Sequence, residues 1–366
     1  MTMIFGFTRE NVPLLCGDAL ITNFSEQSST FRLPTPGRLS ADLLDTYGVS
    51  ITGLRQKINI ITNSIAFAWS GSYVQAYGLA REIRSYADRF GPSAGEVYKI
   101  ITANADKNLS CIAMVKEGLN TSYIWHGAET ANLRRFENVH FAGSGSAYFK
   151  RTIEQLDRVD AIADSSIDVI STVLGDALVV ASQSLGRELY TQETLAERWG
   201  GTIELCYHAP STFAKLDKVA FVHFRYDEAN PDAGLTWVPR LLLNRYDGPN
   251  LECVALECEP TSDRRIFSIA RDDTVVIRPL LSDGVPRQPL PGSFEFDRLC
   301  THFSYCRAGD SVWSMTNVRF CSNGPRPFRV TIRGSIVDVA FTKELGDWMR
   351  EQIRAYQQGE IRPSAD

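Results

Sequence analysis

The strongest constraint on the fold is the order in which secondary-structure patterns arrive: predicted helices come in pairs, each pair set between runs of predicted strands. Met3 to Phe7 is apolar, Thr8-Arg9-Glu10-Asn11 breaks the run, and Val12 to Cys16 is apolar again, the pattern of a hairpin. A polar stretch from Thr22 to Ser50, carrying Pro34-Thr35-Pro36-Gly37, reads as a loop. Residues 57–61 and 65–70 flank a Thr62-Asn63-Ser64 turn and predict a second hairpin. Val74, Tyr77, Ala80, Ile83, Ala87 and Phe90 recur at helical spacing, and Gly91-Pro92 ends that helix. Ser93 with Glu96 opens the next helix as a capping box. Strands are expected at 110–116, 121–126 and 138–142. A second helical pair follows: 146–159, then a helix opening near Asp164 with Ile167, Ile170, Leu174, Leu178, Ala181 and Leu185 on one face. Trp199-Gly200-Gly201 stops the helical region, and strands at 202–208 and 218–225 close it. This order does not suit a doubly wound sheet. It suits two sheets packed face to face with a helical pair on each outer side, so residues 1–226 are expected to form an α+β, four-layer αββα sandwich.

Asp227-Glu228-Ala229-Asn230-Pro231-Asp232 reads as a linker to a smaller, mostly β domain over 227–366. Strands there are expected at 240–243, 254–256, 274–279 and 328–339, followed by a helix from 343 to about 358. That helix carries Leu345, Trp348, Met349 and Ile353 on one stripe, which is expected to pack on its own domain. A length of 366 residues agrees with two domains, and 44% hydrophobic against 22% charged residues provides for a sizeable core. A net charge of -5 without clustered Lys/Arg excludes a nucleic-acid footprint, and Arg134-Arg135 and Arg264-Arg265 read as solvated faces.

The opening lacks a basic segment followed by an apolar run, and no stretch approaches the ~20 apolar residues of a membrane helix. The expectation is a cytoplasmic protein without a membrane partner. The eight cysteines then read as buried thiols. Cys253 and Cys258, or Cys300 and Cys306 beside His302, lack the spacing of a zinc knuckle, so no metal is expected. His208 and His223, on adjacent predicted strands, read as core or edge histidines.

The chemistry concentrates near the start. Removal of Met1 would make Thr2 a terminal residue, with a hydroxyl that attacks a carbonyl and an α-amine that takes its proton. Such an amine titrates near ~7.7–8.0, close to working pH. A first turn centred on Glu10 sets Thr2 opposite Asp18, an acid able to orient the amine and a neighbouring cation. Centring the second turn on Asn63 sets Lys57 opposite Trp69. Lys57 favours developing negative charge, and the Gly71 N–H is a candidate oxyanion donor.

Thr2-Met3-Ile4-Phe5-Gly6-Phe7, Cys16-Gly17-Asp18-Ala19-Leu20-Ile21-Thr22 and the ungapped stretch from Lys57 to Gly71 resemble the proteasome β-subunit type of N-terminal-nucleophile hydrolase. The likeness is greater to the bacterial two-ring, ATP-dependent relative, which also begins directly after methionine. Phe141-Ala142-Gly143-Ser144-Gly145-Ser146 resembles the family's Gly-Ser-Gly turn, and Trp199-Gly200-Gly201 resembles the small-residue end of its fourth helix. The resemblance covers residues 1–226 and implies the four-layer sandwich. It also implies that Ser144 supports the amine and that Ile21, Thr22, Arg55, Asn59, Trp69 and Tyr73 form the substrate pocket. Trp69 at its floor would make the pocket shallow, for small side chains or a non-peptide amide.

The chain departs from the family in three ways. The segment between Asp18 and Lys57 is longer than usual, Ala196 and Trp199 stand where many members have an Asp and a Ser, and 227–366 has no family counterpart.

The expectation is therefore an N-terminal threonine amidohydrolase, a peptidase acting through an acyl-enzyme without metal or organic cofactor. Its partners would be a peptide or protein substrate, further copies in a homo-oligomer able to close a ring, and an ATPase or adaptor. The rival is a catalytically inert subunit or adaptor whose C-terminal domain binds a partner. A third reading is a non-peptide amidase.

Overall fold

A computed structural model describes residues 2–23, 33–34, 50–158, 168–191, 193–229, 236–261, 266–282, 296, 298–306, 312–320 and 328–358. Contacts divide the chain into two units. The first comprises Met1–Leu216, Asp247–Leu251 and Val276–Arg287; the second comprises Asp217–Tyr246, Glu252–Val275 and Gln288–Asp366.

The first unit opens with β1 (Met3–Arg9) and β2 (Val12–Asp18). Glu10 and Asn11 have φ of 51° and 62°, the two-residue turn whose twist matches its flanking strands. This turn pairs Ile4 with Gly17 through Arg9 with Val12. Continuing that register sets Met3 across from Asp18, so the expected Thr2–Asp18 register is off by one residue.

Strands β3 (Leu20–Asn23) and β4 (Ser50–Leu54) pair with each other, and most of the predicted 22–50 loop between them lies outside the described residues. Strands β5 (Ile58–Thr62) and β6 (Ile65–Gly71) form the second hairpin. Ile58 faces Ala68 and the Trp69 N–H donates to the Lys57 carbonyl at 3.1 Å, so the centring on Asn63 gives the right register.

Helix α1 (Tyr73–Phe90) is N-capped by Ser72, and α2 (Ala94–Asn104) by Ser93, whose hydroxyl accepts from the Glu96 N–H. The buried stripe of α1 is Ala76, Leu79, Ala80, Ile83 and Ala87, while Val74 and Phe90 are exposed. The three alanines of that stripe permit close packing around Leu79 and Ile83, and the large residues left outside stand near the two ends of the helix.

Strands β7 (Leu109–Glu117), β8 (Asn120–His126), β9 (Glu129–Asn132) and β10 (Asn138–Gly143) follow. Next come α3 (Ser146–Arg158) and α4 (Val169–Thr191). Asp168 caps α4 through the Ser171 N–H and hydroxyl; the expected start near Asp164 lies outside the described residues. Val169–Glu188 is long and apolar enough to cross a membrane by length and composition, contrary to the sequence expectation, although more than half of its apolar window is buried within the fold. Arg135 is not solvated: it donates to the Leu156 carbonyl and pairs with Asp176 at 3.3 Å. Arg264-Arg265 lies outside the described residues.

A short α5 (Glu193–Ala196), β11 (Ile203–His208) and β12 (Phe213–Lys215) complete the contiguous part. The sheets of this unit run β12-β11-β2-β1-β10-β9, β5-β6-β7-β8 and β3-β4. Ile4, Leu15, Ile58, Ala66, Ala68, Ile112, Met114 and Ala142 form one buried cluster.

Along the chain β13 (Val219–Asp227), β14 (Thr236–Asp247), β15 (Asn250–Pro260), β16 (Ile266–Asp272) and β17 (Val275–Ile277) precede β18 (Arg298–Cys306) and β19 (Val312–Phe320); most of these residues form the second unit, while the β14–β15 turn and Val276–Ile277 of β17 belong to the first. A last hairpin, β20 (Phe328–Arg333) and β21 (Ile336–Phe341), leads into α6 (Lys343–Gln357). Gly334, with φ of 60°, turns the single strand expected over 328–339 into that hairpin. Strand β13 runs parallel to β18 and antiparallel to β14, so the acidic 227–232 stretch connects two strands of one sheet. Ala220, Val222, Leu241, Leu243, Val254, Leu256, Val330, Val337 and Leu345 form its core, with Trp348 packed against it. The side chains of Met349 and Ile353 lie outside the described set.

The α+β four-layer αββα sandwich followed by a smaller β domain is thereby corrected. The protein is mostly β, with 45% strand against 30% helix, spread over several sheets that include a half-barrel. Among the described residues the largest sheet has nine strands, and it takes β13, expected as the closing strand of the sandwich, into the same sheet as strands of the C-terminal part. Helical periodicity is conspicuous in sequence, whereas short edge strands such as β3, β4, β9 and β12, and long strands that alternate weakly, are not.

Candidate functional site

The ends of β1, β2 and β5 bring three of the sequence-predicted residues into one buried cluster. Thr2 and Asp18 are fully buried and Lys57 nearly so. The Thr2 hydroxyl donates to Asp18 Oδ1 at 2.6 Å and approaches the Leu20 carbonyl at 3.3 Å. The same Oδ1 accepts from the Met3 N–H at 3.1 Å, and Oδ2 accepts from the Gly200 N–H at 2.8 Å. The carboxylate therefore ties the start of β1 to the turn after α5, whose Gly200 lies 182 residues beyond Asp18. Thr2 reaches Asp18 despite the shifted register because both stand at strand ends, where strict alternation of faces lapses.

Burial raises Asp18 to about 6, although Lys57 and the three donors all pull it down. Burial lowers Lys57 to about 8, against the pull of Asp18 and then Glu204. Both groups thus change charge close to neutrality. The Lys57 ammonium lies 3.8 Å above the Trp69 ring, a favourable cation–π contact. Gly17 lets Lys57 pass: a Cβ there would stand 3.1 Å from the Lys57 Cβ.

Ser144 follows Gly143, whose φ is 97° and where any Cβ would collide with the Thr2 carbonyl. The turn is thus pressed against the Thr2 backbone, and the Ser144 hydroxyl is buried without a hydrogen-bond partner among the described residues. Gly71, the expected oxyanion donor, ends β6 opposite Leu109 and is exposed. A Cβ on Gly143 would also lie 3.0 Å from the Ser70 hydroxyl, so the end of β6 adjoins the Thr2 backbone.

The expected pocket residues are close-packed. Trp69 is fully buried, and its indole N–H donates to the Gln56 carbonyl at 3.2 Å. Asn59 is held at both ends, donating to Gln56 and accepting from the Leu280 N–H at 2.6 Å. Leu280 joins the cluster of Trp69 and Leu79, with Ile21 and Tyr73 packed against it. The Arg55 guanidinium sits 5.5 Å over the Tyr73 ring, and Thr22 pairs with Ile51 in the small β3–β4 sheet.

Sequence reasoning missed several residues that build this region. Glu188, buried on α4, accepts from the Gly201 N–H at 3.0 Å, so two buried carboxylates hold consecutive amides of Trp199-Gly200-Gly201. The available signal was an acid three residues beyond Leu185 on the apolar stripe of α4. Glu204 accepts from the Ile58 N–H at 2.8 Å and pairs with Lys215, which also donates to the Ile58 carbonyl. This pair holds the N–H and the carbonyl of Ile58, the residue next to Lys57. Gln56 donates to the Pro249 and Ile277 carbonyls at 2.8 Å, joining distant segments of the first unit.

The arrangement can transfer a proton from a threonine hydroxyl to a carboxylate and place a buried cation near the charge that develops. No family model matches the chain, and no curated protein matches it.

Proposed function

We propose that the protein is a threonine amidohydrolase, a peptidase of the proteasome β-subunit type that works through an acyl-enzyme. One observation carries the reading: the Thr2 hydroxyl donates at 2.6 Å to a buried carboxylate, Asp18, that titrates near neutrality and is coupled to buried Lys57. In the proposed step Thr2 Oγ bonds to the substrate carbonyl carbon, and its proton passes to the α-amine freed by loss of Met1, or to Asp18. The amide C–N bond then breaks, the amine leaves with a proton, and water hydrolyses the Thr2 ester. Lys57 stabilises negative charge, the Gly71 N–H receives the oxyanion, and Ser144 supports the amine. No metal or organic cofactor enters these steps. The same reading includes a cytoplasmic homo-oligomer, able to close a ring, that receives peptide or protein from an ATPase or adaptor.

A second reading, an inert subunit or adaptor, is favoured by the full burial of Thr2 and by the tying of Asn59 and Trp69 to backbone carbonyls and amides. Intact mass of the native protein before and after a peptide epoxyketone separates the two, because the reagent bridges the hydroxyl and free amine of a terminal threonine. The amidohydrolase reading expects loss of Met1 and one adduct, absent in Thr2→Ala. Retained Met1, or no adduct with even the smallest epoxyketones, supports the inert reading.

A further inference from the structure

We infer that the first unit carries a binding site for a neutral saccharide, in a cleft lined by β8 and the turn before it, β10 and the β1–β2 turn. The inference does not depend on the role of Thr2. The cleft has a volume of about 680 Å³, enough for more than one sugar ring.

Its floor is an aromatic platform. Trp125 is 44% exposed, unusual for so large an apolar ring. Its indole packs 4.2 Å from the ring of His140, which is buried and held by Thr130 at 3.0 Å. Burial lowers His140 to about 4, so the ring behind the indole is uncharged at neutral pH. Nearby Tyr123 is fixed as well, its hydroxyl accepting from the Leu14 N–H and donating to the Phe7 carbonyl. The platform is therefore rigid, with one indole face backed by protein and much of the ring open to the cleft.

Around it stand groups that both donate and accept. The amides of Asn120 and Asn138 and the hydroxyls of Thr121 and Ser122 line the cleft without a side-chain hydrogen-bond partner among the described residues. Amides and hydroxyls of this kind match sugar hydroxyls, which also donate and accept. The C–H face of a sugar ring carries slight positive charge and suits the negative face of an indole.

The charge of the lining narrows the class further. Glu137 lines the cleft, and neither Lys nor Arg is among its lining residues, which disfavours phosphates, nucleic acids and acidic peptides. A cation would be better served by several open aromatic faces than by one. An apolar ligand would leave the amides and hydroxyls unpaired.

The test titrates the full chain with maltotetraose, cellotetraose and mannotetraose, and with sialyllactose, tetramethylammonium and a single-stranded oligonucleotide as competitors of other chemistry. Saturation-transfer NMR and indole fluorescence report binding. The expected result is binding of at least one neutral tetrasaccharide, weakened about tenfold or more by Trp125→Ala and less by Trp125→Phe. Asn138→Ala should weaken it severalfold, with unchanged melting temperature in both Trp125→Phe and Asn138→Ala. The inference is overturned if no neutral saccharide binds, if binding survives Trp125→Ala, or if one of the charged probes binds in preference.

Discussion

Asp18 and Lys57 impose opposite pH dependences on stability. Between its ordinary 3.8 and about 6, Asp18 holds a proton in the native state that the unfolded chain has released, so its contribution weakens as pH rises through that window. Between about 8 and the ordinary 10.5, Lys57 has lost a proton in the native state that the unfolded chain still binds, so stability rises with pH there. Urea denaturation across pH should show a minimum between the two windows. Asp18→Asn should flatten the acidic limb, and Lys57→Met should flatten the basic one. An unchanged acidic limb in Asp18→Asn would show that another carboxylate sets it. At this scale the sequence was informative about identity and less so about contact. Thr2, Asp18 and Lys57 could be picked out from residue type and order, but the Gly200 and Glu188 interactions span 182 and 13 residues and leave no periodic trace.

The strand pairs explain why one hairpin register was legible and the other was not. Asn63 lies in the turn expected from Thr62-Asn63-Ser64; Thr62 pairs with Ile65 next to it, and a register shift between Ile60 and Thr62 then brings the outer pairs onto the count from Asn63, with Lys57 against Trp69. The first turn uses Glu10 and Asn11, both at positive φ, a conformation in which Glu is an uncommon choice, so its two-residue length was hidden. The peptide beside Lys57 depends on a contact no local pattern shows, the grip of Glu204 and Lys215 on Ile58. Glu204→Ala should cost about 3–5 kcal/mol in urea denaturation, because it strands a largely buried ammonium and the Ile58 N–H. Glu204→Ala with Lys215→Met should recover much of that loss. Equal destabilisation by the single and double changes would show that the pair carries no coupling.

For the molecule as a whole, contacts divide the chain into two units, and the first is discontinuous, which no local pattern in the sequence marks. Asp247–Leu251 and Val276–Arg287 belong to it, and they supply the Pro249 and Ile277 carbonyls, the Leu280 N–H and a buried leucine. A chain ended at 226 should therefore melt at lower temperature than the full protein and show red-shifted emission from an uncovered Trp69. Equal melting temperatures would mean that those later segments contribute little.

The discontinuity also sets a timetable for synthesis. At about 5–20 residues per second, the ribosome releases Leu280 seconds after Leu216. During that interval Asn59 has its carbonyl oxygen unclaimed and part of the Trp69 cluster lacks its cover. A nascent chain thus spends its first moments with this region open and shuts it only when later residues arrive, so whatever must reach that region has a window that the mature protein no longer offers.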